Sequence, residues 1–131
     1  MSQPDAPLKG LRVLAVEDEF PVLILLEDML VELGCEVAGS ASRIGEALEL
    51  LQKQAFGAAV LDVNVAGEVV YPVALALAAL RVPIVFSTGY GMRGVHEDWR
   101  DRPILQKPYR VEDLAKALAH AVASSGLSER A

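Results

Sequence analysis

Apolar residues fall along this chain in short unbroken runs that alternate with stretches of helical spacing. Leu11-Arg12-Val13-Leu14-Ala15-Val16 predicts a first strand, bounded by Gly10 and by an acidic cluster. Over residues 21–33 the positions Val22, Leu26, Met29, Leu30 and Leu33 recur on one helix face, and Gly34 is placed to stop that helix. Residues 36–39 predict a short second strand. Residues 43–54 predict a second helix, with Ser42 as its N-cap and Ile44, Ala47, Leu48 and Leu51 facing inward. Residues 58–62 form an apolar strand ending in a charge, and Pro72 suits the first turn of a third helix that runs to about Leu80. Residues 83–87 and 104–106 predict the fourth and fifth strands. Val111, Leu114, Ala115, Leu118 and Val122 give a last helix its buried stripe.

Strands and helices in alternation imply a parallel sheet covered on both faces, an α/β fold, and strands that are apolar throughout agree with it. Residues 89–102 break the pattern with glycines, scattered charge and Trp99, and predict a loop or a broken helix where a fourth helix would stand.

Composition narrows the classes of function. A length of 131 residues fits one domain, expected over 10–124 with tails at 1–9 and 125–131. The formal charge of −6, with no basic run, speaks against nucleic-acid binding, which needs Lys and Arg clustered against phosphates. Cys35 is the only cysteine, so an intramolecular disulfide and a thiol metal cluster are both excluded, and a packing role in a reducing cytoplasm is expected. No signal-peptide pattern and no uncharged apolar stretch of membrane-spanning length occurs, so a soluble cytoplasmic protein is expected, with no membrane partner. His96 and His120 lack metal-ligand spacing and are expected in a loop and on a helix surface.

In a parallel α/β sheet, chemistry gathers at the carboxyl ends of the strands. Here strand one ends in Glu17-Asp18-Glu19, strand three in Asp62, strand four in Ser87-Thr88-Gly89 and strand five in Lys107-Pro108. If strands one and three are neighbours, the carboxylates of Asp18 and Asp62 meet. Carboxylates at close range repel unless a cation intervenes, and a set of oxygen donors without His or Cys favours Mg²⁺. Lys107 can pair with Asp62 at rest and with a phosphoryl oxygen later, and Thr88 offers a hydroxyl donor to the same oxygens. Singly, each feature has an ordinary structural explanation: helix-start charge, a turn aspartate, a strand-end threonine. Together, at successive strand ends, they make a phosphoryl-transfer kit.

At these residues the chain resembles bacterial two-component receiver domains, over about Leu11 to Val122. The resemblance implies a five-stranded parallel sheet in order 2-1-3-4-5, a CheY-like fold. It implies Asp62 as phosphoacceptor, and Asp18, Asp62 and the Asn64 main-chain carbonyl as Mg²⁺ ligands. Glu17 completes the acidic pair and would act through water, and Thr88 and Lys107 would sense the phosphate. Phe86-Ser87-Thr88-Gly89-Tyr90-Gly91 and the run from Asp62 to Glu68 further resemble the "FAT GUY" subgroup of single-domain regulators. That narrower resemblance implies a sensor histidine kinase of the HWE type as partner, a role in general stress signalling, and a flexible loop in place of the fourth helix. One departure stands out. Ile104 occupies the position where many receivers place a switching aromatic, which leaves Tyr90 and Tyr109 as alternatives.

The expected function is that of a phosphoacceptor taking part in its own phosphorylation and dephosphorylation, rather than an enzyme turning over substrate. A downstream protein partner is expected but not specified, since no output domain follows. Two alternatives stay open: a Mg²⁺-dependent phosphohydrolase with an Asp nucleophile, and a degenerate receiver serving as a scaffold. In the first helix Ile24 and Val31 fall opposite the core stripe, with Phe20 nearby, and this off-core apolar face is a candidate kinase-docking surface.

Overall fold

The computed structural model describes residues 8–130. In chain order the elements are β1 (Arg12–Val16), α1 (Phe20–Glu32), β2 (Glu36–Ala41), α2 (Ile44–Lys53), β3 (Ala58–Asp62), β4 (Asn64–Val65), β5 (Glu68–Val69), α3 (Tyr71–Ala79), β6 (Ile84–Thr88), β7 (Ile104–Gln106) and α4 (Val111–Arg130). A five-stranded parallel sheet runs in the order β2-β1-β3-β6-β7. With the two short arms β4 and β5 set aside, this is the expected 2-1-3-4-5 order.

Alternation along the central strands divides the core in two. Leu14, Val16, Ala59, Leu61, Ile84 and Phe86 face one side, with Ile44 and Ala47 of α2 and Val73, Ala74 and Leu77 of α3. Val13, Ala15, Ala58, Val60 and Val85 face the other, with Leu23, Leu26 and Leu30 of α1 and Leu114, Leu118 and Ala121 of α4. Both faces of the middle strands are therefore dry, which is why their sequences carry no polar alternation.

Local signals behave in instructive ways. Gly34, at φ +87°, closes α1 in a Schellman motif: its own N–H reaches Val31 O at 3.0 Å, and Cys35 N–H reaches Leu30 O at 2.9 Å. Ser42 is not the N-cap of α2. Arg43 holds that position, and the Glu46 carboxylate instead accepts from Ser42 N and Oγ at 2.9 and 3.1 Å. In α1 the buried stripe runs through Leu23 rather than Val22, and in α4 through Ala121 rather than Val122. Each is a one-residue rotation, well within the width of an apolar helix face.

The expected tails also differ from the structure. Of residues 1–9, 1–7 lie outside the described residues, but Leu8 is fully buried in the core that holds Leu30 and Cys35, and Gly10 N–H donates to Gly34 O at 2.8 Å. An apolar side chain beside the end of α1 simply completes that core. At the other end, the backbone of residues 125–130 continues α4 as helix, so the expected C-terminal tail is a helical extension apart from residue 131, which is outside the described residues.

No fourth helix stands between β6 and β7. The segment forms two short 3₁₀ turns, Gly91–Gly94 and Glu97–Trp99. Val95 between them is buried in the core, and Trp99 stacks on Tyr71 with parallel rings 6.1 Å apart. Both rings meet Phe86 edge-on, and the Arg102 guanidinium lies 4.8 Å from the Trp99 ring. Among the described residues, no helix is long and apolar enough to cross a membrane.

Candidate functional site

The sheet order puts β1 beside β3, β3 beside β6 and β6 beside β7, so the ends of these strands share one edge. Glu17 and Asp18 follow β1, Asp62 ends β3, Thr88 ends β6 and Lys107 follows β7. The Lys107 Nζ sits between two carboxylates, 3.0 Å from Glu17 Oε1 and 3.1 Å from Asp62 Oδ2. Glu17, Asp62 and Thr88 are buried, whereas Asp18 is exposed at the mouth. Thr88, Asp18, Asn64 and Lys107 line the same open depression as Asp62. All the residues predicted for the phosphoryl site are thus brought together.

Backbone amides fix the carboxylates. Glu17 Oε2 accepts from Glu19 N at 3.1 Å, and Asp62 Oδ1 from Asn64 N at 3.4 Å. Asp18 Oδ2 accepts from Ala66 N at 3.0 Å. That amide is supplied by a feature the strand pattern did not reveal, a hairpin of β4 and β5 turning at Ala66 and Gly67, both with positive φ. A two-residue turn with both φ positive matches the twist of a tight hairpin. The signal was present as Ala-Gly between two arms that each hold one valine, Val65 and Val69, but each arm is only two residues long.

One ammonium faces more than one negative charge. Carboxylate oxygens of Glu17, Asp18 and Asp62 all lie within 4.8 Å of one another. Burial pushes the Glu17 carboxyl up to about 7, against the hydrogen bonds from Lys107 and Glu19, and the charge of Asp62 raises it further. Burial works against the charge on Lys107, yet its hydrogen bonds to Glu17 and Asp62 together outweigh that and hold its pKa above the ordinary range. Tyr109, half-buried nearby, is pushed up to about 12, by burial first and then by Glu17. An all-oxygen donor set with surplus negative charge fits a hard divalent cation such as Mg²⁺. The resemblance implies that Glu17 acts on a bound Mg²⁺ through water. In the structure Glu17 is buried and bonded directly to Lys107.

Other candidates lie elsewhere. Phe20, Ile24 and Val31 are exposed on α1, as is Leu25, which the helical projection had not singled out. His120 is exposed on α4; exposed His96 accepts from Asp98 N through Nδ1 and caps the second 3₁₀ turn. Cys35 is buried, and burial raises its thiol to about 11, which leaves it an inert packing group.

Comparison with known proteins places this geometry in a lineage. No family model matches the chain. The solution structure of SdrG from Sphingomonas melonis Fr1 is 41% identical, with a TM-score of 0.79, covering 86% of this chain and 97% of SdrG. A second SdrG structure, in the BeF3-activated conformation and from Pseudomonas melonis Fr1, is 39% identical at TM-score 0.75, covering 93% and 99% of the two chains. The receiver domain of the response regulator PhyR from Erythrobacter litoralis is 26% identical at TM-score 0.79, covering 90% and 94%. The transcriptional regulatory protein PdtaR of Mycobacterium tuberculosis is 34% identical over 115 residues, 85% of this chain and 56% of PdtaR. The chain thus spans about half the length of the curated relatives it matches. With the sheet order, the strand-end acidic cluster and a near full-length relative in agreement, the chain belongs to the receiver-domain family of two-component response regulators.

Proposed function

We propose that this receiver accepts a phosphoryl group on Asp62 from the phosphohistidine of a sensor kinase. The observation that carries the proposal is the Lys107 ammonium held between Asp62 and Glu17, at the buried end of a parallel sheet. An ionised Asp62 oxygen attacks phosphorus, the P–N bond to histidine breaks, and an acyl phosphate forms on the carboxylate. Lys107 pairs with Asp62 before the reaction and meets a phosphoryl oxygen after it, while Thr88 donates its hydroxyl to another. Asp18, Asp62 and the Asn64 carbonyl would hold Mg²⁺, with Glu17 acting through water or through Lys107. Bound there, Mg²⁺ would supply charge compensation for the phosphoryl oxygens. The chain would then act as a phosphoacceptor that helps its own phosphorylation and hydrolysis, not as an enzyme with turnover.

The kinase would dock beside the pocket. Phe20, Val69, Tyr90 and Met92 are exposed apolar groups on elements around its mouth, and Ile24 and Val31 extend that surface along α1. A helical partner of the HWE kinase type suits such a face. A stress-signalling role, in the cytoplasm, is favoured by relatives in the PhyR line, one of which is named a stress response regulator at 28% identity. The downstream protein is left open. The test is phosphotransfer from purified kinases. Ile24→Asp with Val31→Asp should slow transfer from the kinase about tenfold, as expected for a lost docking contact, and leave labelling by acetyl phosphate unchanged. Equal loss with both donors would refute the docking surface.

A further inference from the structure

Two of the three carboxylates in the acidic cluster are held locally, and the third is held from afar. Glu17 and Asp62 are buried, paired with Lys107 and bonded to the amide two residues on. Asp18 is exposed, and its Oδ2 accepts from Ala66 N, 48 residues away, at 3.0 Å. An Asp18 oxygen lies within 4.8 Å of an oxygen of each buried carboxylate. Like charges at that range push an exposed side chain out toward water. The Ala66 N–H works against that push.

The tip that carries this amide has uncommon backbone. Ala66 stands at φ +51° and Gly67 at φ +83°. For an alanine the left-handed region is costly, because its Cβ crowds the following carbonyl. Nothing lies within 4 Å of a Cβ added at Gly67, so backbone angle and not space reserves that position for glycine. The base below the tip is anchored. Val63, Val65 and Val70 are buried, and Val70 N–H donates to Val63 O at 2.8 Å. A strained tip over a fixed base, at the edge of a site, points to a role in that site. The first arm also begins at Asn64, whose main-chain carbonyl is the third oxygen proposed for the cation. One short hairpin thus governs two proposed ligands, one directly and one through a hydrogen bond.

We propose that the β4–β5 hairpin is the positioning element of the cation site, its Ala66 N–H orienting Asp18 for a divalent ion. This rests on reading the strand-end cluster as a Mg²⁺ site. The N–H engages Asp18 Oδ2 and leaves Oδ1 for the ion. A carboxylate already fixed by a donor meets a cation without first giving up its rotamer freedom. The left-handed pair at 66 and 67 serves this purpose rather than the main sheet, which the hairpin does not join.

The full chain is tested in two arms. Without metal, NMR follows hydrogen exchange at the Ala66 amide in the wild type and in Asp18→Ala. Exchange should be about fivefold faster in the variant, the ratio for one ordinary hydrogen bond. An unchanged rate would overturn the tether. In the second arm, calorimetry compares Mg²⁺ affinity of the wild type, Gly67→Val and Gly67→Asn. Both substitutions add a side chain in open space, but asparagine tolerates a left-handed backbone and valine does not. Gly67→Val should bind Mg²⁺ about tenfold more weakly, and Gly67→Asn within about twofold of the wild type. Equal loss in both variants, or loss in neither, overturns the positioning role. Gly67→Ala, a milder form of the same strain, replaces Gly67→Val if that chain does not fold. A wild type that binds no Mg²⁺ even in large excess sinks the cation site and the positioning role with it, whereas failure of the hairpin alone leaves wild-type binding intact.

Discussion

Around Asp62, the functional side chains arrive from the ends of four strands, and short bonds hold the buried carboxylates of Glu17 and Asp62: an amide two residues on, an ammonium across the gap. The segment from Gly89 to Arg102, directly above, makes short turn bonds within itself but is set in place by packing against the rest of the fold. Its position depends on Val95 sunk into the core, Trp99 stacked on Tyr71 of α3, and Gly94 pressed on Thr88. The pocket is an electrostatic object placed by topology, and the loop is a packing object placed by a few rings. Chemistry and movement are thereby assigned to neighbouring but differently built parts, so that one can be disturbed without the other.

The sharpest way to separate them is Asp62→Asn, which should abolish covalent phosphorylation while leaving Trp99 fluorescence of the resting protein unchanged. Residual labelling in that variant would mean the acceptor lies elsewhere. Next is Lys107→Ala, which leaves Glu17 and Asp62 buried with no counter-ion and should cost about 3 kcal/mol in urea unfolding at pH 8. No change in the unfolding midpoint would show that the pocket does not depend on this ion pair. Trp99→Ala attacks the other region. A half-buried ring should cost about 2 kcal/mol, below the range for fully buried aromatics, yet leave the rate of labelling by acetyl phosphate within about twofold. A large drop in that rate would show that loop packing, and not strand ends, sets the chemistry.

The smallest effect is a pH dependence confined to the pocket. Glu17 is raised from 4.5 to about 7, so between these values the folded chain holds a proton that the unfolded chain has released. In metal-free buffer this group should lower stability as pH rises from about 4.5 to about 7 and contribute no further slope above that. Glu17→Gln should remove its share, read as a flatter thermal midpoint against pH. A wild-type slope that is unchanged in Glu17→Gln would place the titration on another group.

The same contrast governs what could be read from sequence. Strands β1, β3, β6 and β7 announce themselves as apolar runs, and their polar termini Asp18, Asp62, Thr88 and Lys107 are covalently next to them, so topology alone carries those residues to one edge. The absence of periodicity over residues 89–102 likewise foretold the missing helix. What fills its place was hidden, because the partner of Trp99 is Tyr71, far back in the chain, and no local pattern connects two aromatics across that distance. The hairpin at Ala66 and Gly67 escaped because its arms are shorter than any periodicity can register, although it supplies the amide that fixes Asp18. Leu8 looked like a tail residue for a related reason: burial of an isolated leucine is decided by the end of α1 and Cys35, not by its neighbours in sequence. Helix α1 shows the limit of projection, since a small rotation exchanges Val22 for Leu23 and brings Leu25 to the surface beside Ile24.

The most direct test is chemical trapping of the phosphorylated chain. After reaction with acetyl phosphate and Mg²⁺, borohydride should reduce the acyl phosphate and mark residue 62 alone, with no mark when the divalent ion is chelated. A mark on any other residue, or a phosphoryl group that survives hydroxylamine, would contradict an aspartyl phosphate at the buried end of β3.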